Sequence, residues 1–124
     1  MTQLRFALAQ IDTCVGALDA NAAKVLDYSR KAAAGDAQVA VFPEMTLTGY
    51  PIEDLALRRT FRQAAWDKAN ELAGQLQDEG LGHLFVVVGT VGTDRETSKP
   101  RNRLVVMHEG VVWTGYDKHF LPNY

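Results

Sequence analysis

The chain has 124 residues, 47% of them apolar, and carries 13 basic against 15 acidic side chains for a formal net charge of −2. That length and apolar content suit one domain with a core and argue against disorder. The charge balance and the lack of any basic run argue against nucleic acid or an anionic membrane as the main partner, and the single cysteine, Cys14, excludes an intrachain disulfide.

The first residues, Met1-Thr2-Gln3-Leu4-Arg5-Phe6, are broken by polar side chains and lack the apolar centre of a secretory signal. No apolar run approaches the roughly 20 residues that span a bilayer. The chain therefore reads as cytoplasmic. Residues 4–11 predict a short strand, apolar at both parities, the pattern of a strand buried on two faces. Asp19 is placed to cap a helix in which Leu18, Ala22, Val25, Leu26, Ser29 and Ala33 recur at helical spacing, and Gly35 supplies its stop. Residues 39–42 predict a second strand, ended by Pro43, which cannot donate to a ladder.

A turn-rich stretch follows, with Gly49, Pro51 and the acidic pair Glu53 and Asp54, read as a helix start rather than a metal site. A second helix is predicted from about residue 57 to 78, with Phe61, Ala65, Ala69, Leu72 and Leu76 on its buried stripe and Gly80 or Gly82 at its end. Residues 84–88 predict a third strand, and residues 92–101 a polar loop. Residues 103–108 and 111–116 then flank Glu109-Gly110 as a hairpin. The order strand, helix, strand, helix, strand, hairpin predicts an α/β fold. Its first strands run parallel, the hairpin makes the sheet mixed, and the helices lie on one face.

Two charged positions carry the chemistry. Glu44 directly follows an apolar strand, where functional groups of α/β sheets gather, and could serve as a general base. Lys118 follows the last strand and could stabilise an oxyanion. Read singly, each is more simply a solvated surface side chain. Gly89-Thr90-Val91-Gly92 lacks the glycine spacing and the lysine of a phosphate loop. His83, His108 and His119 show no ligand spacing with Cys14 or paired acids, so no metal is expected. Trp66 and Trp113 are expected to be packing residues.

The pairing of motifs changes the reading of both charges. Phe42-Pro43-Glu44 followed by Thr48-Gly49-Tyr50, with Tyr116-Asp117-Lys118 downstream, resembles the nitrilase, or carbon–nitrogen hydrolase, superfamily. Gly49-Tyr50-Pro51-x-Glu53-Asp54-Leu55 and Lys118-x-x-Leu121-Pro122-Asn123-Tyr124 resemble the glutaminase domain of glutamine-dependent NAD(+) synthetases. Ala9-Gln10-Ile11, Val15-Gly16 and Asn102 fit the same pattern, so the resemblance covers essentially the whole chain.

The resemblance implies the N-terminal portion of an αββα sandwich. It implies Glu44 as general base, Lys118 as the cation that meets the tetrahedral intermediate, Tyr124 lining a glutamine pocket, and Tyr50 near it. The implied reaction is attack of a cysteine on the side-chain amide of glutamine. Ammonia leaves and is used in the ATP-dependent amidation of deamido-NAD. The family's nucleophilic cysteine follows the lysine on a later strand. None follows Lys118 here, and Cys14 lies where the family has no catalytic cysteine.

The expectation is therefore a fragment, inactive alone and without a cofactor of its own, since ATP and deamido-NAD would bind a separate synthetase domain. Its expected partners are glutamine, the rest of a longer chain or a co-folding partner, and further copies in a homo-oligomer. Two alternatives remain: a piece of a stand-alone amidase of the superfamily, and a non-catalytic partner module.

Overall fold

A computed structural model describes residues 3–119. Among these residues lie β1 (Phe6–Leu8), α1 (Leu18–Ala34), β2 (Val39–Val41), α2 (Arg59–Asp78), β3 (Phe85–Thr93), β4 (Pro100–His108) and β5 (Val111–Asp117), with a 3-10 turn at Glu53–Leu57 ahead of α2. The strands form one sheet in the order β1-β2-β3-β4-β5. The first three are parallel and the last two antiparallel, so the sheet is mixed as expected. No helix among the described residues is long and apolar enough to cross a membrane.

Both helices lie on the same face. They pack on each other, and α2 crosses β3, β4 and β5. The α2 stripe of Ala65, Ala69, Leu72 and Leu76 is buried as its spacing predicts. It meets Val25 of α1 and Val86, Val88 and Val105 of the sheet, all with no measurable exposure. Asp19 does not cap α1. The cap position is Ala17, without a side-chain hydrogen bond, and Asp19 pairs with Lys68 of α2 at 2.6 Å. Gly35 does end α1, its N–H reaching the carbonyls of Lys31 and Ala32.

The expectation of two buried faces for the first strand is corrected. Ala7 packs on the core, but Phe6 and Leu8 on either side of it are 48% and 73% exposed. Cross-strand register puts Phe6 beside Val39, Leu8 beside Val41, and Leu104 beside Tyr116. These residues share the sheet face turned away from the helices, which is apolar and uncovered. The apolar run at both parities was real, but only one of its faces meets a packing layer here.

The loop after β3 is shorter than expected, because β3 runs to Thr93 and β4 begins at Pro100. Asp94 closes it: its carboxylate accepts the Glu96 and Thr97 N–H groups and pairs with Arg101. In the hairpin, Glu109 and Gly110 both take positive φ, at 52° and 81°, as a two-residue turn of the mirror type requires. A bulge follows: Met107 faces Val112 and Val106 faces Thr114, which leaves Trp113 without a partner in the register. Neither tryptophan is a core residue. Trp66 is 43% and Trp113 63% exposed, and Trp113 sets its ring edge-on to Phe85 on the open face.

Candidate active site

Three segments converge at one end of the sheet. The C-terminal ends of the parallel strands, the start of β4 and the end of β5 meet there because β4 runs antiparallel to β3 and β5, antiparallel to β4, runs in the direction of β3 again. Glu44 lies just past β2, Asn102 lies within β4, and Lys118 lies one residue past β5. The Lys118 N–H donates to the Asn102 carbonyl at 2.8 Å, extending the β4–β5 ladder by one step. Alternation along each strand then puts both side chains on the open face, with Leu104 and Tyr116.

The side chains meet at one carboxylate oxygen. Lys118 Nζ donates to Glu44 Oε1 at 3.0 Å, and Asn102 Nδ2 donates to the same oxygen at 2.6 Å. The pair joins residues 74 positions apart. Glu44 and Lys118 are 49% and 46% exposed, so solvent screens the attraction and the pair adds little to stability by itself. Its effect is electrostatic at the site. The Lys118 ammonium holds the Glu44 carboxyl below the usual carboxylate range, partial burial opposes it, and the Asn102 amide adds to the lowering. Glu44 is thus held in the ionised form, the form a general base needs.

The loop that presents Glu44 is fixed from below. Phe42 N–H donates to the Val87 carbonyl at 2.9 Å, and Leu47 N–H to the Gly89 carbonyl at 3.0 Å. Thr46 Oγ1 donates to the Pro43 carbonyl at 2.5 Å. Residues 45–49 are buried, and Met45 takes φ +56°, an uncommon conformation for a side chain of that size. Gly89 makes the approach possible: a Cβ there would lie 2.3 Å from Met45 N and 2.8 Å from Glu44 C. The segment 89–92 is therefore a strand that lets the Glu44 loop sit down on it, and not a loop of any kind.

A groove of about 280 Å³ opens beside the pair, lined by Glu44, Asn102, Lys118, Val41, Val87 and Tyr116. Tyr50 is not among its lining residues. It borders a neighbouring apolar cavity of about 500 Å³, with Met45, Ile52, Val91, Pro100 and Asn102. Asn102 is common to the two. Cys14 is exposed and lines neither space; its backbone is held by the buried Asn21 side chain at 2.9 and 2.7 Å. His119 sets its ring edge-on to Tyr116. Tyr124 lies outside the described residues.

A family model for carbon–nitrogen hydrolases matches residues 5–122. This chain belongs to that family. Among its relatives, the glutamine-dependent NAD(+) synthetase of Acinetobacter baylyi is 34% identical over 124 residues, covering 100% of this chain and 22% of that one. The enzyme of the same name from Mycobacterium tuberculosis is 36% identical over 121 residues, covering 98% and 17%. The chain thus spans about a fifth of the length of the curated relatives it matches.

Among solved structures, a glutamine-dependent NAD(+) synthetase from Acinetobacter baumannii matches with TM-score 0.80 at 32% identity, over 100% of this chain and 22% of that one. An amidase from Nesterenkonia sp. matches with TM-score 0.74 at 21% identity, over 98% and 44%, which speaks to fold alone. The nitrilase-like α/β architecture expected from sequence is the one observed.

Asn102 is the site residue that sequence reasoning undervalued. It fitted the resemblance, but nothing in a run such as Arg101-Asn102-Arg103 says that its amide ends on Glu44. The signal was parity: Asn102 and Leu104 share a face, and only the β4–β5 register shows that Lys118 is on it too.

Proposed function

We propose that this chain supplies the base and the oxyanion cation of a glutamine-hydrolysing site whose ammonia feeds the ATP-dependent amidation of deamido-NAD. The reading rests on family membership, on the NAD(+) synthetase relatives that match the whole chain, and above all on one observation: Lys118 and Asn102 converge on a single oxygen of Glu44. In this reading Glu44 takes the proton of a cysteine thiol, and the thiolate attacks the side-chain amide carbon of glutamine. Negative charge then develops on the amide oxygen, and Lys118 is placed to meet it. The proton returns to the nitrogen, ammonia leaves, and water cleaves the thioester to release glutamate.

The nucleophile is not Cys14, which is outside the groove. It belongs to polypeptide beyond these 124 residues, as do the groups that bind ATP and deamido-NAD. Tyr50 contributes to the neighbouring cavity, and Tyr124 is assigned to the glutamine pocket by resemblance. The 124 residues alone are a non-hydrolysing segment of this machinery.

Ammonia release from glutamine tests the reading, measured on the 124-residue chain and on the complete gene product. Release from the complete product that falls by orders of magnitude in Glu44→Gln and in Lys118→Ala is expected, with none from the 124 residues. Release from the short chain that disappears in Cys14→Ser overturns the assignment of the nucleophile.

A further inference from the structure

On the helix side of the sheet, away from Glu44, a third cavity of about 490 Å³ opens between the start of α2 and the β3–β4 loop. Four arginines line it: Arg59 and Arg62 from α2, Arg95 from the loop, and Arg103 from β4. No acidic side chain lines it. Arg103 is neutralised by Asp117 at 2.5 Å. Among the described residues no carboxylate lies within ion-pair distance of Arg59, Arg62 or Arg95. The acids nearest in sequence do not answer them: Asp94 is taken by Arg101, and Glu96 sits exposed in the loop.

Arg62 is the anomaly. Its residue is only 4% exposed. Its Nε donates to Thr93 Oγ1 at 2.8 Å, Nη1 to the Ala56 carbonyl at 2.5 Å, and Nη2 to the Ser98 carbonyl at 3.1 Å. All three acceptors are neutral, and a guanidinium offers more N–H donors than these contacts use. Buried charges are ordinarily paired, because desolvation penalises them heavily. Here a buried cation has hydrogen bonds but no counter-charge, and two further unpaired cations face the same space. In a protein of net charge −2, three convergent guanidiniums without an acid form a local positive field, focused by the cleft.

We infer that this cleft is a binding site for a phosphorylated small molecule. Arginine's planar fork suits the oxygens of a phosphate, which accept two parallel hydrogen bonds from one side chain. The Arg59 end adds the start of a 20-residue helix, α2, whose unpaired N–H groups favour the same charge sign. The volume lies in the range of small-molecule sites and exceeds what a bare phosphate fills. Trp66, half-exposed at the cavity wall, offers a flat face beside the arginines, so a nucleotide fills the space better than inorganic phosphate does. Gly92 keeps the floor open: a Cβ there would strike the Arg103 guanidinium at 2.3 Å. The cleft shares no lining residue with the Glu44 groove except Arg103.

The test is calorimetric titration of the 124-residue chain at low ionic strength with two probes, inorganic pyrophosphate and AMP. Trp66 fluorescence is followed in a Trp113→Phe background. Binding of either probe is expected, weakened about tenfold or more in the double variant Arg59→Gln/Arg95→Gln and weakened by added salt. Those two side chains are exposed, so their replacement leaves the Arg62 network and the fold in place. Quenching of Trp66 by AMP and not by pyrophosphate identifies a nucleotide as the source of the phosphate. Binding of pyrophosphate alone identifies a free phosphate. Failure of both probes to bind, or equal binding by the double variant, overturns the inference.

Discussion

The same small change, one added methyl group, has opposite consequences at two glycines of this chain. At Gly89 a Cβ would lie 2.3 Å from Met45 N, 2.7 Å from the Pro43 carbonyl oxygen and 2.8 Å from Glu44 C. Ordinary contact begins at 3.4 Å, so the worst overlap is 3.4 − 2.3 = 1.1 Å. All three atoms are backbone and cannot rotate aside. The 43–45 loop must lift by about an ångström against the Phe42 and Leu47 ladder bonds that hold it, and overpacking of this kind destabilises by about 1–3 kcal/mol.

At Gly74, inside α2, nothing lies within 4 Å of the new Cβ. There alanine restricts the unfolded chain and favours the helix, stabilising by about 0.5–1 kcal/mol. The two variants should therefore differ by about 1.5–4 kcal/mol in opposite directions from the parent. Urea denaturation followed by far-ultraviolet circular dichroism measures both. Gly89→Ala carries a second signature, because lifting the loop by an ångström stretches the 3.0 Å Lys118–Glu44 contact beyond hydrogen-bond range. The Glu44 titration midpoint then rises. A Gly89→Ala chain within about 0.5 kcal/mol of the parent, with Glu44 titrating as before, refutes the claim that this glycine is needed for the approach.

Two further predictions concern protons. Asn102→Leu removes one donor to Glu44, so its carboxyl should titrate at higher pH in a carbon-13 NMR titration, yet remain depressed because Lys118 is the larger cause; Lys118→Met should raise it further. An unchanged midpoint in Asn102→Leu would remove the amide from the site. Asp94 is held at about 2, against an ordinary 3.8, first by Arg101 and then by the Glu96 and Thr97 N–H groups. A depressed carboxyl stabilises the folded loop above its unfolded value and loses that contribution as pH falls through the folded one. Chemical shifts of residues 94–99 should therefore hold at pH 4 and change with a midpoint near 2; a transition centred near the ordinary value would contradict the closed loop.

Sequence reasoning found the elements wherever apolar spacing and glycine stops speak locally, as along α2 from Ala65 to Leu76. It failed where partners are distant. Asp19 has the look of a cap, but its charge is taken by Lys68 across the helix pair. Residues 4–11 look doubly buried because their pattern carries no record of which faces are covered. Trp66 and Trp113 fit the element patterns and are nonetheless exposed. At the site, Glu44 and Lys118 were legible as motifs. Their contact through one oxygen, and Asn102 as its third member, depend on strand register, which no single segment encodes. The arginine cleft was illegible for the same reason, since Arg59, Arg62, Arg95 and Arg103 come from three elements.

The bulge at Trp113 bears on how this ribbon can change length. Met107 faces Val112 and Val106 faces Thr114, so Trp113 is the residue the ladder does not count. Were it deleted, Val112 and Thr114 would become neighbours, and every pairing from Thr114 onward would stand, keeping Lys118 beside Asn102. Deleting any one residue between Gly115 and Asp117 would instead slip the strand by a step and turn the residue meant for Glu44 toward α2. The hairpin thus holds a spare position upstream of a stretch that tolerates none. A lineage could shorten or restore the ribbon at that one point while its charged partners stayed in frame.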